Sequence, residues 1–349
     1  MKRVGLFGVS VGALALGAAG CLGNNNPGGE DRPDAWVPPD NGNGDGNGNG
    51  NGANGNGNGN GSNGNGNGDN GNGNGDNGNG EAEIAQLYIT EVMARGEEFI
   101  EIWNPNDEPV DLENYYIADT GSYATLPSID PSDYSEMTLT GVSGHQFIAR
   151  FPDDATLAAG EVAVVALHGG AFEAEYGEPQ APTFALRQPG DFEAMVPIRV
   201  HRFDSQESLL RQDGEALYLF YWDGESPLVT DVDSMVHGTI AEDRGVDSRG
   251  NLLNKGELEP IEHWQSGETA SYEDDEFELG TADGQFGEVS PDDCSYRRTS
   301  IAYDVEDGGN GIGGRDVTSM DMKDSWTNQD GLSSGDCLVE PGTLPADLE

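Results

Sequence analysis

The chain has 349 residues and a formal net charge of −48, from 64 acidic and 16 basic residues. A field of this sign repels nucleic-acid phosphates and anionic lipid headgroups and attracts divalent cations, which argues against nucleic acid as a partner. Glycine accounts for 53 residues, many of them in one stretch before residue 81, so residues 81–349 are the part that can bury a core. This length is enough for one decorated domain or two small ones.

Residues 1–20 are organised like an export signal. Lys2 and Arg3 precede an apolar run over residues 4–16, which is too short to cross a bilayer. The sequence AAGC at 18–21 resembles the lipobox of bacterial lipoproteins, although Leu is more usual at the place of Ala18. The resemblance implies that Cys21 is acylated and anchors the chain in a membrane. Leu22 stands where lipoproteins of the inner membrane often carry Asp, which favours the outer membrane or cell surface. The alternative is a plain secretory signal.

Residues 41–80 consist almost wholly of Asn-Gly repeats, with no apolar residue larger than Ala. Such a segment buries too little surface to offset its chain entropy, so residues 21–80 are predicted to be a disordered tether. Its fully extended length is about 200 Å. A calcium-binding Gly/Asp repeat would need acids at a fixed period, and only Asp45, Asp69 and Asp76 are available.

Short apolar or alternating runs separated by turn residues begin at residue 81 and predict strands. The predicted strands cover residues 87–92, 98–103, 110–112, 115–118, 146–150, 162–167, 216–222 and 233–236. One helical turn is predicted at 172–176. Alternation places eight residues in the core: Ile89, Val92, Ile100, Ile102, Leu112, Val164, Leu217 and Leu219. Many short strands of this kind favour an all-β sandwich.

The segment LYITEVMARGEEFIEIWNPNDEPVDL at 87–112 resembles the opening of a lamin tail domain. Residues 151–167 and 213–238 resemble two later steps of that family, the second including its "VDS" strand. SYRRTS at 295–300, the DSW sequence at 324–326 and the PG pair at 341–342 resemble its closing pattern. The resemblance implies an immunoglobulin-like sandwich over 81–349, interrupted by insertions around 120–143, 170–208 and 239–293. It also implies a binding or scaffold module with no catalytic residues to carry over.

Two cysteines lie in this domain, Cys294 and Cys337. An exported protein meets an oxidising compartment, so a disulfide between them is predicted, with two free buried thiols as the alternative. In the loop-entropy model the bond stabilises the fold by roughly 4 kcal/mol.

The best candidate for chemistry is a metal site in YDVEDGGNGIGGRD at 303–316. Five oxygen donors lie there among glycines: Asp304, Glu306, Asp307, Asn310 and Asp316. Hard oxygen ligands on a permissive loop suit calcium, although the EF-hand pattern is not met and a solvated acidic loop is the alternative. Motifs for a zinc hydrolase or a nucleotide-binding loop do not occur, and the single G-x-S-x-G match, at 8–12, lies inside the leader.

These features together predict a lipid-anchored surface module that binds a protein, a glycan or a cell-wall component and is not an enzyme. Two alternatives stay open. One is an extracellular metal-assisted hydrolase of the nuclease or phosphatase type, and the other is a calcium-responsive structural surface protein.

Overall fold

The computed structural model describes residues 83–136, 146–177, 181–200, 208–211, 214–238, 240–241, 246–247, 255–272, 294–302, 306–316, 325–329 and 336–348. The strands in chain order are β1 (Tyr88–Met93), β2 (Phe99–Trp103), β3 (Val110–Asp111), β4 (Tyr115–Ala118), β5 (Phe147–Arg150), β6 (Thr156–Leu157), β7 (Val162–Ala166), β8 (Thr183–Ala185), β9 (Glu193–Ala194), β10 (Val196–Val200), β11 (Gly214–Tyr221), β12 (Thr230–Gly238), β13 (Ile240–Ala241), β14 (Val246–Asp247), β15 (Ile261–Glu262), β16 (Thr269–Ala270), β17 (Tyr296–Arg298), β18 (Glu306–Asp307), β19 (Arg315–Asp316) and β20 (Trp326–Thr327). The α-helix α1 spans Gly169–Tyr176, and 3₁₀ turns lie at Gly121–Ser128, Pro131–Glu136, Lys255–Glu257, Ile312–Gly314 and Ala346–Leu348.

Two large sheets form the sandwich. Sheet I has seven strands in the order β20-β17-β1-β2-β7-β8-β9, and sheet II has five in the order β10-β5-β4-β11-β12. All pairings are antiparallel except β7 with β8 and β8 with β9, which are parallel. The chain passes from sheet I to sheet II between β9 and β10. This arrangement is the all-β immunoglobulin-like sandwich that the sequence predicts.

The main core lies between the two sheets and is built from the inward-facing residues of each strand. Its fully buried members include Ile89, Val92, Ile100, Ile102, Ile117, Ala149, Val165, Leu217, Leu219 and Val232. Seven of the eight residues predicted for the core belong to this cluster. Val164 is equally buried but packs on the opposite face of sheet I, in a separate cluster with Phe99 and Phe172.

The insertions cover the outer faces of the sheets. On sheet II, the outward-facing aromatic residues of β4 and β11 pack against the 3₁₀ turn Gly121–Ser128 and against residues 255–272. Tyr123 stacks on Tyr218 with ring centroids 4.4 Å apart, and the Tyr272 hydroxyl donates a hydrogen bond of 2.8 Å to the Ala124 carbonyl. The described parts of these insertions therefore build a second core.

Helix α1 covers part of the outer face of sheet I. Phe172 in the helix meets Phe99 of β2 edge-to-face, with ring centroids 5.8 Å apart. The helix connects β7 to β8, and its first residue, Gly169, lies so close to the chain at 188–189 that a Cβ there would sit 2.6 Å from the Pro189 carbonyl oxygen. A side chain at this position would force the helix off the sheet, which explains why the helix begins with glycine.

The eight predicted strands all correspond to strands of the structure, and the predicted helical turn lies within α1. The sequence pattern did not predict the two-residue strand β6, nor the strands β8, β9, β10 and β13 to β20. Apart from β6, these strands occupy the insertions and the C-terminal third, where runs are only two to five residues long and show no extended alternation.

Candidate functional site

The structure joins Cys294 and Cys337 in a disulfide, as predicted, with their Cα atoms 5.2 Å apart. Cys21, the predicted site of lipid attachment, lies outside the described residues. The bond attaches the C-terminal segment, residues 336–348, to the chain just before β17. This segment then runs along the outer face of sheet I.

The predicted calcium loop forms the connection between β18 and β19. Glu306 pairs across the strands with Asp316, and Asp307 pairs with Arg315. The loop is closed by backbone hydrogen bonds, including Gly308 N–H to the Gly314 carbonyl at 2.8 Å. Asp304 and the side chains of Glu306 and Asp307 lie outside the description, so Asn310 and Asp316 are the members of the predicted set whose side chains the structure describes.

Asn310 fixes this loop to the start of β12. Its side-chain amide donates to the Val229 carbonyl at 2.8 Å, and its own carbonyl accepts from the Asp231 N–H at 3.3 Å. The Asn310 Oδ1 atom is buried and has no hydrogen-bond partner among the described residues. A cleft of about 440 Å³ lies beside the loop, lined by Glu83, Ile84, Thr230 and residues 310–313. Within the described ranges, no three His, Cys, Asp or Glu side chains are grouped to hold a metal, so calcium binding stays a prediction.

A polar pocket of about 210 Å³ lies at the start of α1, and sequence reasoning did not find it. It is lined by Gly96, Glu97, Glu98, His168, Ala171, Arg187 and Ser208. These residues come from four separate stretches of the chain, with no shared spacing that a sequence pattern would reveal.

His168 caps α1 from this pocket. Its ring Nδ1 accepts a hydrogen bond of 3.1 Å from the Ala171 N–H, so in the neutral ring the proton is on Nε2. This Nε2 atom is buried without a hydrogen-bond partner in the described part of the chain. The His168 ring therefore both caps the helix and lines the pocket.

Glu98 holds the segment 208–211 against the sandwich. Its carboxyl group shares a hydrogen bond with the Ser208 hydroxyl and accepts one of 2.7 Å from the Leu209 N–H. Burial raises the pKa of Glu98 to about 7, against the opposing effect of these hydrogen bonds and of Arg187. Ser208 also contacts the Leu210 carbonyl at 2.7 Å. The serine thus links the segment 208–211 to Glu98.

A pair of buried carboxyl groups lies beneath the C-terminal segment. Glu91 on β1 and Glu101 on β2 are direct cross-strand partners, and both are fully buried. Thr90 donates to Glu101 at 2.7 Å and Ser295 donates to Glu91 at 2.5 Å. The Gly342 N–H donates to the other oxygen of Glu101 at 2.9 Å.

Burial raises the pKa of both groups, that of Glu91 to about 7 and that of Glu101 to about 8, where the charge of Glu91 adds to the effect. Arg297 lies 3.9 Å from Glu91 and opposes the shift. Near neutral pH the pair therefore retains at least one proton, and the C-terminal segment closes over it.

A buried ion pair joins the two sheets. Arg298 of β17 and Asp233 of β12 are fully buried and 2.5 Å apart. Both also bind β1, since Arg298 donates to the Ile89 carbonyl at 2.6 Å and the Ile89 N–H donates to Asp233 at 2.7 Å. Burial raises the pKa of Asp233, and Arg298 opposes that rise. The side chains of Tyr88 and Trp326 flank the guanidinium, with ring centroids 5.4 and 4.7 Å from its carbon.

This ion pair connects two of the segments on which the family resemblance rests, 213–238 and 295–300. Residues 81–235 match the family model of the lamin tail domain. Over this range the sequence is similar to lamin tail domains. The resemblance stated from the sequence is confirmed over that range. The lamin tail fold is that of a binding or structural module, and here it is completed in sheet I by β17 and β20, which lie beyond the matched residues.

A solved structure of a DUF4876 family protein from Bacteroides thetaiotaomicron VPI-5482 is similar to the chain with a TM-score of 0.34 and 13% sequence identity, over 75% of each chain. No curated protein matches the chain. None of the helices in the described part of the chain has the length and apolar character needed to cross a membrane.

Proposed function

We propose that this protein is a non-catalytic binding or scaffolding module, held at the cell surface by a lipid on Cys21 and by the tether at 21–80. The proposal combines the export signal and Asn-Gly segment of the sequence with the lamin tail domain at 81–235. The tether would set the distance of the domain from an outer membrane. Its ligand would be a protein, a glycan or a cell-wall component, because the charge of −48 repels nucleic acid.

The non-catalytic part of the proposal rests on the buried polar side chains, which join elements of the fold to one another. The Asp233–Arg298 pair joins the sheets, and Glu98 holds residues 208–211. Gln329 holds the C-terminal segment, since its side chain donates to the Leu338 carbonyl at 2.9 Å and accepts from the Leu338 N–H at 2.8 Å. Because these groups connect one element of the fold to another, a structural role is favoured for them over a catalytic role.

The ligand would be contacted through loops. The outer faces of both sheets carry insertions, and β10, an outermost strand of sheet II, is interrupted by Pro197 and a register shift before Arg199. Proline and irregular register are features that protect an edge strand from pairing with another chain. Strand addition at β10 is therefore disfavoured.

The anchor is tested by comparing the full chain with its Cys21→Ser variant in a Gram-negative host. We expect the wild type to sediment with outer membranes and to begin at an acylated Cys21 by intact mass, and the variant to be soluble. A wild-type chain that is soluble and carries no lipid would overturn the anchored part of the proposal.

Binding is tested with the soluble Cys21→Ser chain and purified cell-wall sacculi, surface polysaccharide and intact cells. Saturable binding to one of these supports the module, and a heat-unfolded sample of the same chain is the control. The hydrolase alternative is tested on the same preparation with phosphate esters and DNA, with and without Mg²⁺, Ca²⁺ and Zn²⁺. Metal-dependent turnover above that of the unfolded control would overturn the non-catalytic assignment.

A calcium-responsive surface protein is the second candidate. The buried Asn310 Oδ1, on the loop that leads to Asp316, favours it, because amide carbonyl and carboxylate oxygens are calcium ligands. A ligand that binds only the folded state raises the melting temperature. We expect millimolar calcium to raise the melting temperature of the wild type but not of an Asn310→Ala variant. An unchanged wild-type melting temperature would reject the calcium site.

A further inference from the structure

Lys255 is a lysine buried in the second core, on the outer face of sheet II. Only two lysines, Lys255 and Lys323, follow residue 81 in this acidic chain. The side chains of Lys255 and Asp231 are each 2% exposed, and the Lys255 Nζ atom contacts Asp231 Oδ2 directly. An amine and a carboxyl group thus meet in a site from which solvent is excluded.

Two tyrosines enclose this contact. The Tyr123 hydroxyl donates a hydrogen bond of 2.8 Å to Asp231 Oδ1 and accepts one of 3.2 Å from Lys255 Nζ. The centroids of the Tyr123 and Tyr272 rings each lie 5.7 Å from Nζ. Tyr123 is itself fully buried, and Tyr272 is 3% exposed.

The positions of the three groups are set by different parts of the fold. Asp231 is near the start of β12, where a register shift opposite Leu219 and Phe220 turns it to the outer face while Asp233 faces inward. Lys255 begins a 3₁₀ turn in the last insertion. Tyr123 belongs to the first insertion. The reactive atoms therefore come together only when both insertions pack on sheet II.

We propose that Lys255 and Asp231 condense into an intramolecular isopeptide bond once the domain has folded. Low polarity disfavours separated charges, so a transfer of one proton from the ammonium to the carboxylate gives a neutral amine beside a neutral acid. The amine is then a nucleophile held in contact with its electrophile, which replaces a bimolecular encounter with a reaction inside one site. The Tyr123 hydroxyl at Oδ1 is placed to stabilise the charge that develops on that oxygen.

The reaction balances without a further reactant. Lys255 Nζ attacks Asp231 Cγ and forms the C–N bond, while the C–Oδ2 bond breaks. Oδ2 leaves as water with the proton gained from the ammonium and a second proton lost by Nζ. The product is a neutral amide that bridges β12 and the last insertion, and one water molecule leaves the chain.

The buried ion pair of Arg298 and Asp233 cannot react in this way. Arg298 and Asp233 are also in contact and fully buried. A guanidinium group remains protonated in proteins and has no free electron pair for attack on a carboxyl group. Lys255 and Asp231 can therefore form an amide, whereas Arg298 and Asp233 cannot.

The test is the mass of the full exported chain, prepared as the soluble Cys21→Ser variant, reduced and unfolded. We expect a mass lower than that of the linear chain by one water molecule. Trypsin should then fail to cleave after Lys255 and should release a branched peptide that joins residues 212–244 to 250–297. A linear mass, with cleavage after Lys255, would overturn the proposal and leave an ordinary ion pair.

Three substitutions on the same background refine the test. Lys255→Arg retains the positive charge and should restore the linear mass, whereas the control Lys323→Arg should keep the loss of one water. Tyr123→Phe removes the donor to Oδ1 and should slow condensation by about 100-fold, followed as mass against time. If Lys255→Arg does not fold, the tryptic digest of the chain with Lys255 still shows whether the isopeptide bond has formed. An unchanged rate in a folded Tyr123→Phe variant would reject the role of that hydroxyl.

Discussion

Asn104 is a buried residue that organises the loop after β2. Its side-chain amide donates to the carbonyls of Glu108, Leu157 and Ala158 at 3.0 to 3.1 Å. Its Oδ1 accepts from the Asn106 backbone N–H at 3.0 Å. Asn104 therefore fastens this turn to the loop before β7.

We expect Asn104→Ala to lower the free energy of unfolding by about 3 kcal/mol, since several buried carbonyl groups would lose their donor. The measurement is denaturant unfolding at equilibrium. The control is Asp107→Ala in the same turn, where the side chain is exposed and a change within about 0.5 kcal/mol is expected. Equal effects of the two substitutions would show that turn propensity alone matters here.

Glu91 and Glu101 link stability to pH. Their pKa values in the folded chain are raised to about 7 and about 8, so the folded state holds protons that the unfolded state has lost above its ordinary carboxyl pKa. The stability that these groups contribute is fully present below the ordinary carboxyl pKa of the unfolded chain. It is lost as the pH rises from that value to about 8.

We expect the free energy of unfolding to fall between pH 5 and pH 8, by up to about 1.4 kcal/mol per pH unit for each such carboxyl group. Glu91→Gln removes one titrating group and one like charge, so the fall should become shallower. Denaturant unfolding at several pH values measures it, with the exposed Glu108→Gln as the matched change of charge. If the free energy of unfolding of Glu108→Gln falls with pH as gradually as that of Glu91→Gln, the pH dependence comes from net charge and not from the buried pair.

At the scale of elements, the C-terminal segment depends on the disulfide. The bond between Cys294 and Cys337 closes a loop that contains β17 to β20, and beyond it residues 338–342 contact Gln329 and Glu101. We expect the double substitution Cys294→Ser, Cys337→Ser to lower the free energy of unfolding by about 4 kcal/mol. Reduction of the wild type should give the same value, and a much smaller loss in both would show that noncovalent contacts alone hold the segment.

The elements also show which parts of the fold the sequence could predict. Strands such as β1, β2 and β11 are long enough to display alternation, and their inward residues were predicted correctly. The packing of the insertions was not predictable, because contacts such as Tyr272 to Ala124 join positions 148 residues apart. The pairing of Glu91 with Glu101 depends on a register shift after Ile89 that leaves no mark in the sequence.

The same reason limits what could be predicted of the candidate site. The acidic loop could be proposed as a calcium site because its donors are close in the sequence, and the disulfide was predicted because only two cysteines follow residue 81. The Lys255–Asp231 contact and the pocket at His168 were missed. Each is assembled from separate segments and depends on the packed fold.

At the scale of the whole molecule, the charge of −48 opposes compaction. Salt screens that repulsion, with a Debye length of about 10 Å at 0.1 M and about 3 Å at 1 M. We expect the melting temperature to rise as NaCl is raised over this range at constant pH. A melting temperature that falls or stays constant would mean that the attractive pairs, such as Arg297 with Glu91, outweigh the repulsion.

The position of β1 has a mechanical consequence. Any tension on the chain before residue 83 reaches the domain through β1, which lies inside sheet I between β17 and β2. Peeling it away requires both ladders to break, together with the bonds that Asp233 and Arg298 make to Ile89. A domain pulled from this end by fluid drag would be loaded at its best-supported strand. Force applied at the C-terminus would instead pass through the disulfide at Cys337 to Cys294, just before β17, the strand that pairs with β1.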